Sequence, residues 1–197
     1  MFTSGYELTT ALTNVLIFIV SLFGFFKIKE HKLWKFFFLC MSIDSFIGSI
    51  VHGIVLSSNI INILWVILAF CFTITVNTLL CIFMKNGFVH ITILSILLSI
   101  LLFVQMIYEM DFLLTFTFYV LIILFISLYY IIKEFNKYDL WIILGFVFQV
   151  IGGILMLCKC KFYSLNHNGI YHMFAVFTLI CFYIGIKKKY NLCYTNN

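Results

Sequence analysis

The chain has 197 residues, 64% of them hydrophobic and only 10% charged, with no proline, 25 phenylalanines and a mean hydropathy of +1.18. A water-soluble domain needs about 25% charged residues to cover its surface, so these numbers exclude a soluble enzyme and make lipid the solvent. The net charge of +5 comes from 12 lysines and no arginine, set at the ends of apolar runs and not on one face with interleaved aromatics, which argues against nucleic-acid binding.

A helix that crosses the hydrocarbon needs about 20 mostly apolar residues. The first such stretch, 8–27, follows Glu7, lacks a basic leader and a small-residue cleavage site, and is expected to stay in the mature protein. The second, 33–56, contains "SIDSFIGSIVHGI", which sets Asp44, Ser45, Ser49 and His52 inside an apolar run. The third, 59–83, opens on Asn59 and Asn62 and carries Thr73 and Thr75. Two nearly unbroken apolar stretches follow, 88–107 and 112–132. The sixth, 140–158, holds Gln149, Gly152 and Gly153, and the seventh, 168–186, opens from "NHNGIYH". The connections are short, no repeat is visible, and nothing is left over for a soluble domain. Residues 1–197 therefore read as a single all-α integral membrane domain, a seven-transmembrane helix bundle.

Lysine placement orients it. Lys27, Lys29, Lys32, Lys35, Lys85, Lys133, Lys137, Lys187, Lys188 and Lys189 fall on one side, and only Lys159 and Lys161 on the other. The positive-inside rule then puts the N-terminus outside and the C-terminus in the cytoplasm. Trp34 and Trp141 begin the second and sixth spans and read as inner-interface anchors. His31 and His90 lie at the same interface and read as solvated. Cys40, Cys71, Cys81 and Cys181 lie within spans and pack as small apolar residues. Cys158 and Cys160 sit at an outer span end, where an oxidising compartment would bear on them.

This orientation gathers polar residues at the outer side. His52 lies about one turn below the outer end of span two, and His172 about one turn into span seven, so the two imidazoles share a level. Asn59, Asn62, His167 and Asn168 lie near it, with Gln105, Glu109 and Asp111 flanking the neighbouring outer loop. Asp44 is eight residues before His52, about 12 Å deeper, too far for one metal to hold both. Gln149, Thr73 and Thr75 are its expected hydrogen-bond partners. A carboxylate at this depth costs about 2.5–3.5 kcal/mol and should face the bundle interior. The plain alternative is packing: Ser45, Ser49 and Gly53, with Gly152 and Gly153, form small-residue surfaces that let helices approach, and a buried histidine can bond a neighbouring carbonyl.

A histidine near the outer end of span two and a histidine motif opening span seven resemble the superfamily of alkaline ceramidases, progestin/adipoQ receptors and GPI-processing membrane hydrolases. The segments "FIGSIVHG" and "NGIYHMFAVFTLICFYIG" resemble more closely an uncharacterised set of small seven-span membrane proteins. The superfamily pattern has a serine four residues before the span-two histidine, an aspartate in span three and His-x-x-x-His in span seven, around a zinc ion bound by three histidines. Such a zinc keeps one position open and makes its water nucleophilic. The resemblance implies His52 and His172 as two ligands. The third position is Asn168, the serine position is Gly48 with Ser49 beside it, and span three has no carboxylate. His167, or Cys158 and Cys160, would have to supply the missing ligand.

Two functions follow. The favoured one is a non-catalytic multi-pass membrane protein that needs no cofactor and binds a membrane lipid or a partner through an outward-facing polar pocket of Asp44, Ser49, His52, Asn59, Asn62, Gln149, Asn168 and His172. The alternative is a zinc-dependent membrane hydrolase acting on a lipid amide or ester, with His52, His172 and His167 as metal ligands. A transporter is less favoured, since no repeated halves are visible. A rhodopsin-like receptor is less favoured still, because span seven has no internal lysine for retinal.

Overall fold

The computed structural model describes residues 5–29, 31–83, 89–109 and 139–195, with 121–122, 124–125 and 128–129 between them. The described residues form six helices: α1 (Gly5–Lys27), α2 (Lys32–Gly53), α3 (Ser58–Phe83), α4 (Val89–Glu109), α5 (Leu140–Leu157) and α6 (His167–Thr195). Among them, five stretches are long and apolar enough to cross a membrane: Glu7–Lys27, Lys32–Gly53, Ser58–Phe83, Leu140–Leu157 and His167–Lys189. Such a set belongs to a multi-pass membrane protein. The predicted span 112–132, along with Lys85, Asp111, Lys133 and Lys137, lies chiefly or wholly outside the described residues, as do the side chains of His90 and Glu109.

The first five helices follow their apolar runs to within a few residues, whereas α6 continues to Thr195, nine residues past the predicted end at 186 and through Lys187, Lys188 and Lys189. α2 stops at Gly53, where Ile54 turns extended (φ −128°, ψ 138°), slightly earlier than the predicted end at 56. α5 ends in a Schellman cap: the Cys160 amide bonds the Leu155 carbonyl at 3.0 Å and the Lys159 amide bonds the Met156 carbonyl at 2.9 Å, with Lys159 at φ 52°. Cys158 and Cys160 thus help form a helix stop, and both are free thiols. α6 begins at a side-chain cap. Asn166 Oδ1 accepts the Gly169 amide at 2.8 Å and the Thr10 hydroxyl at 3.0 Å, so one buried amide starts α6 and ties it to α1. A cap of this kind is worth about 0.5–2 kcal/mol.

The helices form a curved row. α1 packs on α2 and α6, α6 on α5, α2 on α3, and α3 on α4. At the lysine-rich end the row is closed by a knot of rings. Trp34 meets Phe83 and Phe182 edge-on at 5.5 Å and Phe37 at 5.6 Å, and Phe146 joins Phe83 at 5.1 Å and Phe182 at 5.2 Å. Each such pair adds about 0.5–1.5 kcal/mol beyond its buried area. Trp34 is only 3% exposed, so it is a core residue and not the interface anchor its position suggested; three phenylalanines hold it there. Trp141 stays partly exposed, with the Lys188 ammonium 4.8 Å above its ring. His31, read as solvated, is half-buried, and burial and then the Lys189 ammonium push its pKa below the usual 6.5.

Candidate functional site

The site begins on a polar stripe of α1. Glu7, Thr10, Thr13 and Asn14 recur at spacings of three and four, which places them on one helix face. Thr10, Thr13 and Asn14 are each at most 5% exposed. This stripe faces α2 and α6 and holds both histidines. Glu7 Oε2 lies 2.5 Å from His52 Nδ1, an ion pair or charge-assisted hydrogen bond linking α1 to α2. Thr13 Oγ1 donates to the Thr10 carbonyl at 2.8 Å and lies 3.2 Å from His172 Nδ1. With the hydroxyl proton on the Thr10 carbonyl, this geometry favours the His172 tautomer that donates from Nδ1 and keeps Nε2 as an acceptor. The His52 and His172 ring centroids are 6.5 Å apart, so the oppositely directed α2 and α6 do bring the two imidazoles together.

They border a cavity of 270 Å³. Its polar wall is Asn14, Asp44, His52, Asn168, Tyr171 and His172, and its apolar wall is Trp65, Leu68, Ala69, Phe72 and Met156, with Gly48 between. A deeper hollow of 80 Å³ shares Asn14, Asp44, Phe72, Tyr171 and His172 and adds Ser45, Thr75 and Gln149. Gly48 lets α1 and α2 close on each other: a Cβ there would lie 2.9 Å from Asn14 Oδ1. The position that resembled the superfamily's serine is therefore covered by an asparagine from α1.

Asp44 stands apart from its expected partners. Gln149 Nε2 donates instead to the Tyr171 hydroxyl at 2.7 Å, tying α5 to α6. Thr73 and Thr75 bond back to the carbonyls of Ala69 and Cys71 on their own helix, as hydroxyls in apolar helices do. Asp44 Oδ1 is buried and has no hydrogen-bond partner among the described residues.

Of the other residues singled out by sequence, Ser49 bonds the Phe46 carbonyl at 2.7 Å and does not line the cavity. Asn59 and Asn62 are exposed on the first turn of α3, outside it. His167 is half-buried at the start of α6, with Nδ1 buried and unbonded, and it too is off the lining. Cys158 and Cys160 remain in the α5 cap.

Two imidazoles with an amide nearby fall short of the three-histidine set that the resemblance implies. Among the described residues, no group of three or more His, Cys, Asp or Glu is placed to hold a metal ion. The Glu7–His52 pair is of the kind that orients metal-bound histidines, but among the described residues no third donor joins the two imidazoles, and these residues do not fit a zinc centre.

Glu7, Thr13, Asn14, Trp65 and Tyr171 were not among the sequence candidates. Two signals point to four of them: the three–four spacing of the α1 stripe, and a tryptophan, Trp65, lying well inside a span where an interface anchor would not be; Tyr171 carries no such signal.

The family profile that matches residues 9–191 describes a family of unknown function, DUF6962. The chain belongs to this family. Its match reaches all six helices and includes every residue that lines the cavity, while Glu7 lies just outside it. No curated protein and no solved structure matches the chain.

Proposed function

We propose that this protein is a seven-span integral membrane protein, N-terminus outside and C-terminus in the cytoplasm, whose cavity binds the polar end of a membrane lipid without chemically altering it. The observation that carries the reading is the two-sided lining: one wall of amide, carboxyl, imidazole and phenol groups, and a facing wall of Trp65, Leu68, Ala69, Phe72 and Met156. An amphipathic ligand satisfies both walls at once, whereas water alone leaves the apolar wall uncompensated. The volume of 270 Å³ is close to the lower end for ligand pockets and suits a headgroup with its first methylenes. The incomplete donor set favours binding over metal-assisted hydrolysis.

The seventh crossing has support in helix directions. Asn77 Nδ2 bonds Ser99 Oγ at 3.1 Å and Phe70 meets Phe103 at 5.8 Å, so α4 runs antiparallel to α3 and ends at the cavity end. α5 starts at the lysine-rich end, where Phe146 meets Phe83. The end of α4 and the start of α5 therefore lie at opposite ends of the bundle, which supports the reading of seven spans. With the native cysteines replaced, a cysteine at Ser57 or Ser164 should react with an impermeant reagent added outside cells, and one at Lys29 should not; the reverse pattern would invert the orientation.

The binding reading is tested by native mass spectrometry of the protein released from micelles. The parent chain should carry about one lipid per protein, and Ala69→Phe, which fills the cavity, should lose it while eluting as a folded monodisperse species. Equal lipid on both would remove the cavity from the account. Release of lipid amide or ester products in a chelator-sensitive manner would replace binding with hydrolysis.

A further inference from the structure

Within that binding reading, we propose that the ligand is a cationic amphiphile, with an ammonium headgroup seated against Asp44 between the faces of Phe72 and Tyr171. Three features converge on this chemistry. Asp44 borders both the cavity and its deeper hollow, and its Oδ1 is buried with no partner among the described residues. Buried polar atoms in folded proteins are nearly always bonded, and an exception that borders a cavity is matched by a water, an ion or a ligand group placed there. A carboxyl group held inside a membrane bundle is costly, and such groups mark binding sites or ion paths.

The second feature is charge. Among the described residues, no lysine lines either hollow. Of the two imidazoles, His52 at the mouth is already matched by Glu7, and His172, which borders both hollows, is held through Nδ1 by Thr13. Among the described residues Asp44 is thus the only carboxylate lining the cavity, and no fixed cation opposes it there. An anionic headgroup would meet this carboxylate unshielded, so phosphate- or carboxylate-ended ligands are disfavoured.

The third feature is aromatic. Phe72 and Tyr171 share the depth of Asp44, since all three border both hollows, and Trp65 lies nearer the mouth, 5.6 Å from the His52 ring. Aromatic faces around a carboxylate recognise organic ammonium ions, through the ring quadrupole as well as the charge. A small inorganic cation fits less well: calcium takes six to eight oxygen ligands and magnesium an octahedron of them, and these walls are largely carbon. Leu68, Ala69 and Met156 then receive the first methylenes of the chain.

The test uses purified full-length protein in neutral maltoside micelles and two probes of equal chain length, a long-chain alkyltrimethylammonium ion and the corresponding uncharged alcohol. The parent should bind the ammonium probe saturably and far more tightly than the alcohol. Asp44→Asn should weaken the ammonium probe by roughly 30-fold or more, the effect of removing one partner of a buried charge pair. Phe72→Leu, which keeps apolar bulk and removes the ring, should weaken it by about three- to tenfold. In both variants the loss of ammonium affinity should exceed any change in alcohol affinity, and retained saturable alcohol binding reports an intact cavity. Equal affinity for the two probes, or an ammonium affinity untouched by Asp44→Asn, overturns the cationic assignment and leaves the cavity as a neutral lipid site. Failure of the parent to bind either probe saturably overturns this inference and the lipid-binding reading together.

Discussion

Replacing Asp44 with leucine should make the bundle more stable, by about 1–3 kcal/mol, the cost of a buried polar group left unsatisfied. The direction follows from the absence of any Asp44 hydrogen bond among the described residues, with Gln149 engaged by Tyr171 and Thr73 and Thr75 by their own helix. Had Gln149 bonded Asp44, leucine would have stranded the amide and lowered stability. In the observed arrangement it strands nothing, and its methyl groups fill space beside Phe72. Chemical unfolding in micelles of Asp44→Leu against the parent measures this. A stabilised variant that has lost ammonium binding is the expected pair of results, stability and function being set against each other at one residue. A variant less stable than the parent by more than about 1 kcal/mol would mean that Asp44 contributes to holding the helices together.

Gly145→Leu should have the opposite and larger effect, a loss of about 3 kcal/mol or failure to recover folded protein. α5 and α6 pack at Gly145, where a Cβ would lie 2.6 and 2.7 Å from ring atoms of Phe182 and 3.2 Å from the Thr178 carbonyl. Phe182 is 1% exposed and locked against Trp34 and Phe146, so its ring has nowhere to retreat. The same contact carries an interhelical hydrogen bond, Thr178 Oγ1 to the Gly145 carbonyl at 3.0 Å, which a spread pair would lose. Gly169→Ala is the matched control. Its Cβ would meet the flexible end of Leu165 at 3.1 Å, and the helix propensity gained, about 1 kcal/mol, should leave that variant neutral or slightly stabilised. Comparable losses in both variants, measured by the same unfolding assay, would show that glycine is needed in these helices for a reason other than close packing.

The sequence by itself determined where the six described helices run, save for the C-terminal extension of α6, and where lysine collects at their ends. Bilayer thickness demands long apolar runs and the interface collects lysine, so both leave marks in composition that need no knowledge of packing. It also put His52 and His172 at one level, because depth along a membrane helix is a matter of counting residues. Tertiary structure alone decided which face of each helix turns inward. In lipid the outer face is as apolar as the core, and a hydrophobic pattern cannot tell them apart. That is why Trp34 could be read as an interface residue and proved to be the centre of the aromatic knot. For the same reason the stripe Glu7, Thr10, Thr13 and Asn14 gained its role only when α1 was seen between α2 and α6. Asp44 and Gln149, plausible partners by depth, lie at rotations that give Gln149 to Tyr171 and leave the carboxylate facing a cavity. Rotation about a helix axis is fixed by side-chain contacts between neighbours, and those contacts exist only in the packed bundle.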